Sequence, residues 1–192
     1  AETLAKAEVK IPAAGKLPPQ PKRRVRMEQI PILFRGRAEA QKALPLSAAT
    51  AFDLVVSNDP GNSGARVEGG QILALVQRPV KARERLEAAL RLYPYHAEAW
   101  HWLSHAALVQ KEIPKAEAML ELSNFLVPHN GDVLYDLACT RSLLADPEGA
   151  DGYLRKAWAA GYRDTEHFER DTDLRNLRAD PRYARFMQEV AR

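Results

Sequence analysis

Small and large apolar residues recur along this chain at one fixed step, which sets off units that start at residues 63, 97 and 131. With residue 97 as the first position of a unit, a serine falls at position 8 (Ser104), an alanine at position 20 (Ala116) and a leucine at position 24 (Leu120). The units on either side repeat this pattern of small and large residues, with Ala82 and Ala150 at position 20. A fixed period of about 34 residues is typical of repeat proteins. Because small residues allow two helices to cross closely while large ones fill the space around them, the pattern predicts packed helix pairs.

The repeated pattern also predicts how the chain is divided. Residues 63–164 hold three units, and residues 29–62 hold a possible degenerate first unit. The register continues into that first unit through Ala48 at position 20. Its two prolines, Pro31 and Pro45, predict a short or irregular first helix, because proline inside a helix removes a hydrogen bond and clashes with the preceding turn.

The end of the chain, residues 165–192, predicts capping helices. Asp180 is a good helix N-cap, and Pro181 suits the first helical position. The apolar residues that follow form one stripe of a last helix: Tyr183, Phe186, Met187 and Val190. We expect this segment to cover the apolar face left open by the last unit.

The register resembles that of the tetratricopeptide-repeat (TPR) family. The family pattern has a large residue at position 4, leucine at 7, a small residue at 8, alanine at 20 and proline at 32. The second unit supplies these as Trp100, Leu103, Ser104, Ala116 and Pro128. The tail that contains Asp-Pro-Arg-Tyr is similar to the endings of many bacterial TPR proteins. The resemblance implies an all-α fold, a right-handed α-solenoid of helix–turn–helix repeats that binds other polypeptides.

The resemblance also implies a partner-binding groove. In the family, positions 2, 5, 9 and 12 of each first helix line the inner surface. The residues predicted to contact a partner there are Val67, Gln71, Glu98, His101, His105, Leu108, Asp132 and Tyr135. This set is slightly acidic and aromatic, and it lacks the Lys and Asn residues with which heat-shock co-chaperones clamp a C-terminal carboxylate. We therefore expect a neutral or basic extended segment as the ligand.

Two histidines share a helix face in the second unit. His101 and His105 are four residues apart, a spacing that can bind zinc, but a site needs at least a third ligand. The segment reads His-Trp-Leu-Ser-His, without the glutamate of a zinc-protease motif. The sequence therefore favours groove-lining histidines over a metal site. No other constellation predicts a catalytic residue or a cofactor site.

Residues 1–28 differ in composition from the rest of the chain. They contain four prolines and seven Lys or Arg residues against three Glu, whereas the whole chain has a formal net charge of +3. Such a segment predicts an extended basic arm, with contacts through Lys22, Arg23, Arg24 and Arg26. A basic arm suits an acidic protein, a phosphate backbone or an anionic membrane surface, and a solvated linker is the simpler alternative. The basic run lacks aromatic stacking partners, so nucleic acid is not the expected ligand.

These features predict a non-enzymatic protein–protein interaction scaffold, an accessory or structural subunit of a larger complex. The alternative is a self-assembling protein whose arm docks on a neighbouring copy. No apolar run approaches the roughly 18 residues that span a bilayer. The single cysteine, Cys139, excludes an internal disulfide. The start Ala-Glu-Thr suits a mature chain from which signal peptidase has removed a signal peptide. We therefore expect a periplasmic or otherwise exported bacterial protein, with the cytoplasm as the alternative.

Overall fold

The computed structural model describes residues 45–191, and every regular element in that range is helical. The helices are α1 (Pro45–Asn58), α2 (Ser63–Leu75), α3 (Pro79–Leu92), α4 (Ala97–Val109), α5 (Ile113–Leu126), α6 (Gly131–Leu143), α7 (Pro147–Ala159), α8 (Thr165–Arg170), α9 (Arg175–Arg178) and α10 (Pro181–Val190), with a 3₁₀ turn at Thr172–Leu174. None of these helices combines the length and the apolar character that crossing a bilayer requires.

The helices begin at the predicted step. The first helices of the three units, α2, α4 and α6, start at Ser63, Ala97 and Gly131, at equal intervals along the chain. The second helices α3, α5 and α7 keep the same interval, and α1 begins one full interval before α3. Consecutive helices pack against each other, and α2 also contacts α4. The predicted class, an all-helical TPR-like solenoid, is confirmed.

Two predictions lie outside the described residues. The first is the extended arm over residues 1–28, with Lys22, Arg23, Arg24 and Arg26. The second is the first helix of the unit at 29–62, for which the described range supplies only α1. The domain boundaries as a whole therefore stay a prediction.

The recurring alanines lie where the two helices of each unit cross. Ala82, Ala116 and Ala150 are fully buried, as are the leucines one turn later, Leu86, Leu120 and Leu154. The residue at position 8 of a unit, on its first helix, lies against this leucine. In the first of the three units, a Cβ placed on Gly70 would lie 2.6 Å from Leu86 Cγ. Small residues at positions 8 and 20 thus allow the close crossing, and the leucines fill the space it leaves.

The turn within each unit depends on one residue in the left-handed region of backbone space. Gln77, Lys111 and Ala145 have φ angles of 55°, 60° and 59°. All three occupy position 15 of their units. None is glycine, although this conformation costs an ordinary residue roughly 1–2 kcal/mol. The three units therefore reach the same turn geometry from unrelated side chains.

The C-terminal segment covers the last unit, as expected. Phe168, Leu174 and Leu177 are fully buried against α6 and α7, and α10 adds Phe186 at 1% exposure. The predicted last helix is confirmed: the Asp180 carboxylate accepts a hydrogen bond from the Arg182 backbone N–H at 2.9 Å. The apolar face that another repeat would cover is closed by this segment.

Candidate binding groove

A cleft of about 410 Å³ opens between the first helices of the three units. We call it the groove. Its principal lining residues are Gln71, Tyr93, Glu98, His101, Trp102 and Asp132. Four of these belong to the predicted contact set: Gln71, Glu98, His101 and Asp132. The structure therefore brings half of the predicted residues together in one cavity.

The groove is acidic. Glu98 and Asp132 both occupy position 2 of their units, in the first turns of α4 and α6, and both are exposed. Among the described residues, neither lysine nor arginine lines the cleft. A cationic ligand would therefore meet favourable potential here, and an anionic one would be repelled.

The other four predicted residues lie elsewhere. Val67 is fully buried in the core formed by α1–α4. Tyr135 is 4% exposed, so neither of these two presents surface to a partner in this structure. His105 and Leu108 are half-buried and lie outside the lining of the cleft.

The C-terminal segment covers Tyr135, the side chain at position 5 of the third unit. The Tyr135 hydroxyl donates a hydrogen bond to Asp171 Oδ2 at 2.6 Å, and its ring stacks on Tyr162 with centroids 4.5 Å apart. The same carboxylate oxygen lies 3.5 Å from Cys139 Sγ. Burial is the main cause that raises the pKa of both Tyr135 and Cys139, so the hydroxyl and the thiol stay protonated. This network fastens the cap and holds no reactive thiolate.

A cluster of three side chains lies beside the groove; we call it the His-His-Asp cluster. His101 Nε2 and His105 Nε2 lie 2.6 Å and 3.0 Å from Asp136 Oδ2, and 3.3 Å from each other. The indole of Trp102 packs along both imidazoles, with centroid distances of 5.4 Å and 4.9 Å. Burial on its own would raise the pKa of Asp136, but hydrogen bonds from the imidazoles outweigh it and lower the pKa to about 2.

Sequence reasoning missed Asp136. The expectation of no metal site rested partly on the lack of a third ligand near His101 and His105, and Asp136 supplies a third donor from the neighbouring first helix. It lies 35 residues after His101, close to one repeat length. In a solenoid, residues separated by about one period are neighbours across adjacent units. A search at the repeat step would have found it.

Comparison with known proteins places the repeats in a family. Residues 73–124 match a family model described as tetratricopeptide repeat. A search of curated proteins gave no match.

Several solved structures share the fold. MamA of Desulfovibrio magneticus RS-1, from residue 41 to its end, is 21% identical with a TM-score of 0.63 over 71% of this chain and 77% of that one. Pseudomonas aeruginosa pilF is 17% identical, with a TM-score of 0.69 and coverage of 85% and 75%. A thermophilic TPR protein of Thermus thermophilus is 15% identical, with a TM-score of 0.66 and coverage of 83% and 90%.

At these identities the solved structures show a shared fold and nothing more about partners. The family match covers the end of α2, the whole of α3 and α4, and most of α5. With repeated helix pairs on both sides of that match, the described part of the chain has the fold of tetratricopeptide-repeat proteins, and residues 73–124 match that family.

Proposed function

We propose that this protein is a non-enzymatic interaction scaffold that holds an extended, neutral or basic segment of another protein in the groove. The observation that supports this proposal is the acidic cleft between α2, α4 and α6, which Glu98 and Asp132 border. An open cleft with carboxylates at its border and aromatic side chains in its lining suits a peptide that combines Lys or Arg with apolar residues. The solvent-exposed side chains of Glu98 and Asp132 would set the charge preference, while Trp102 and Tyr93 would supply contact area.

The proposal includes membership of a larger complex. TPR proteins bind other proteins, and the basic arm offers a second contact element in addition to the groove. Of the groove residues predicted from the sequence, Gln71, Glu98, His101 and Asp132 are the ones we assign to the partner. For Lys22, Arg23, Arg24 and Arg26 the assignment to an acidic partner surface remains a proposal drawn from charge alone.

A second candidate uses the same groove. The arm is basic and the groove is acidic, so the arm of one copy has the charge to bind the groove of the next. In that case the protein assembles with itself, and residues 1–28 are the ligand.

Photo-crosslinking separates the two candidates. A photoreactive phenylalanine analogue at Gln71 should crosslink to a peptide that mass spectrometry can identify, and the charge-reversed double variant Glu98→Lys/Asp132→Lys should abolish that product. Glu148→Lys is the matched control, because Glu148 is also an exposed carboxylate in a first helical turn but lies outside the groove.

The identity of the crosslinked peptide decides between the candidates. A peptide from a different protein supports the scaffold, and a peptide from residues 1–28 supports self-assembly. The role of the groove would be refuted if the double variant crosslinked as well as the Glu148→Lys control.

A further inference from the structure

We propose that His101, His105 and Asp136 form a binding site for a first-row divalent transition-metal ion such as zinc. The three side chains come from two adjacent helices, α4 and α6, and each offers one donor atom, all within 4.8 Å of one another. This inference does not depend on the proposed function, because it rests on the His-His-Asp cluster alone.

The separations between the donor atoms fit one shared ion. Donors about 2.1 Å from a metal lie roughly 3.0 Å apart at octahedral angles and about 3.4 Å apart at tetrahedral angles. The observed separations are 2.6 Å and 3.0 Å from Asp136 Oδ2 to His101 Nε2 and His105 Nε2, and 3.3 Å between the two nitrogens. Only the shortest of the three has to lengthen, by about 0.4 Å, to reach the octahedral value.

Hydrogen bonding and metal binding require different positions of the imidazole protons. If both imidazoles donate to Asp136, both carry a proton on Nε2, and two such nitrogens cannot also bond to each other across 3.3 Å. If one ring has its proton on Nδ1 instead, its bare Nε2 lies 3.0 Å or less from a carboxylate oxygen with no proton between them. A divalent ion would take the place of the Nε2 protons, because it accepts a lone pair from each of the three atoms while both neutral rings keep their protons on Nδ1.

The surroundings suit a bound ion that keeps open coordination positions. The side chains of His101 and Asp136 are 11% and 17% exposed, and that of His105 is 33% exposed, so the cluster is closed on one side and open on the other. The spacing of four residues on α4 fixes both imidazoles on one helix face, and Trp102 packs along their rings. Two nitrogens and one oxygen favour zinc, cobalt, nickel or copper over calcium and magnesium, which prefer oxygen ligands.

Calorimetry on the untagged full-length protein tests the site. After removal of metal with a chelator and dialysis, titration with Zn²⁺ should give one ion per chain. His105→Gln and Asp136→Asn should each weaken the affinity by about tenfold or more, since each removes one of three protein ligands. The control His129→Asn should bind as the wild type does; His129 is exposed, and its φ of 65° suits asparagine.

A spectroscopic measurement locates the ion independently of folding effects. Co²⁺ should produce visible d–d absorption and quench the fluorescence of Trp102, and Trp102→Phe should keep the binding heat while losing most of the quenching. Circular dichroism of the metal-free variants checks that each is folded. The proposal would be overturned if the wild type bound no ion, or if folded His105→Gln and Asp136→Asn bound Zn²⁺ as tightly as His129→Asn does.

Discussion

The close approach of α2 and α3 at Gly70 makes the substitution Gly70→Ala a sharp test of the packing. An ideal Cβ on this glycine would lie 2.6 Å from Leu86 Cγ and 2.8 Å from Leu86 Cδ2. Leu86 is fully buried, so its side chain cannot move aside into solvent. The corresponding residues of the other units, Ser104 and Ala138, do carry a Cβ. The tight contact is therefore specific to the first of the three units.

Two effects of opposite sign act in this variant. Alanine in a helix interior is more stable than glycine by about 1 kcal/mol. Overpacking a well-filled core costs typically about 1–3 kcal/mol, and a contact of 2.6 Å to the branching carbon of a buried leucine belongs near the upper end. We expect a net loss of about 1–2 kcal/mol, which lowers the Tm of a domain of this size by roughly 2–8 °C.

Thermal and urea unfolding followed by circular dichroism measure this difference, and α7 offers a matched control. Nothing lies within 4 Å of an ideal Cβ on Gly152, so Gly152→Ala should raise the free energy of unfolding by about 1 kcal/mol. In a Leu86→Ala background the clashing atoms are gone, and Gly70→Ala should become neutral or stabilising. A Gly70→Ala variant that is stabilised as much as Gly152→Ala would refute the close crossing.

Three further predictions concern the turns and the cap. Ala145→Gly should raise the free energy of unfolding by up to about 1 kcal/mol, because the φ of 59° strains alanine; thermal melts check this, and the control Ala160→Gly, at a φ of −79°, should give no gain. Tyr135→Phe removes the hydrogen bond to Asp171 and should cost about 1–2 kcal/mol, seen as faster amide hydrogen exchange in α8 and α9; unchanged exchange there would contradict the fastening role of this bond. Phe168→Ala should cost about 3–5 kcal/mol in urea unfolding, because the side chain is fully buried, and a loss below about 1 kcal/mol would mean that the segment does not cap the core.

The sequence was sufficient to predict the fold because the signal was periodic. Ala82, Ala116 and Ala150 recur at the step at which the helices themselves recur, and each is fully buried. The contacts between neighbouring helices recur at the same interval as the sequence pattern. The positions of the small and large residues in one unit therefore predict the helix pairs of the others. The last helix was equally predictable, since Asp180 and Pro181 act locally.

The candidate site was only partly predictable because side chains from different units meet there. Glu98 and Asp132 line the groove as their repeat positions indicate. Tyr135 has an equivalent repeat position but is covered by Tyr162, at the end of its own unit, and by Asp171, which belongs to the non-repeating end of the chain. A pattern read within one repeat contains no information about a segment that folds back over it.

The turns were not predictable from residue type either. Gln77, Lys111 and Ala145 share a left-handed conformation that usually signals glycine or asparagine in a sequence. Here the helices on both sides fix the turn, and their packing outweighs the local preference.

Under the proposed function, the bond between Tyr135 and Asp171 limits the length of peptide that the groove can hold. Because the C-terminal segment covers position 5 of the third unit, the open cleft extends from α2 across α4 to the first turn of α6. If the first helices of neighbouring units have axes about 8–10 Å apart, as packed helices do, this distance is roughly 16–20 Å. Extended chain advances about 3.3 Å per residue, so the ligand proposed above would place about five or six residues in the cleft.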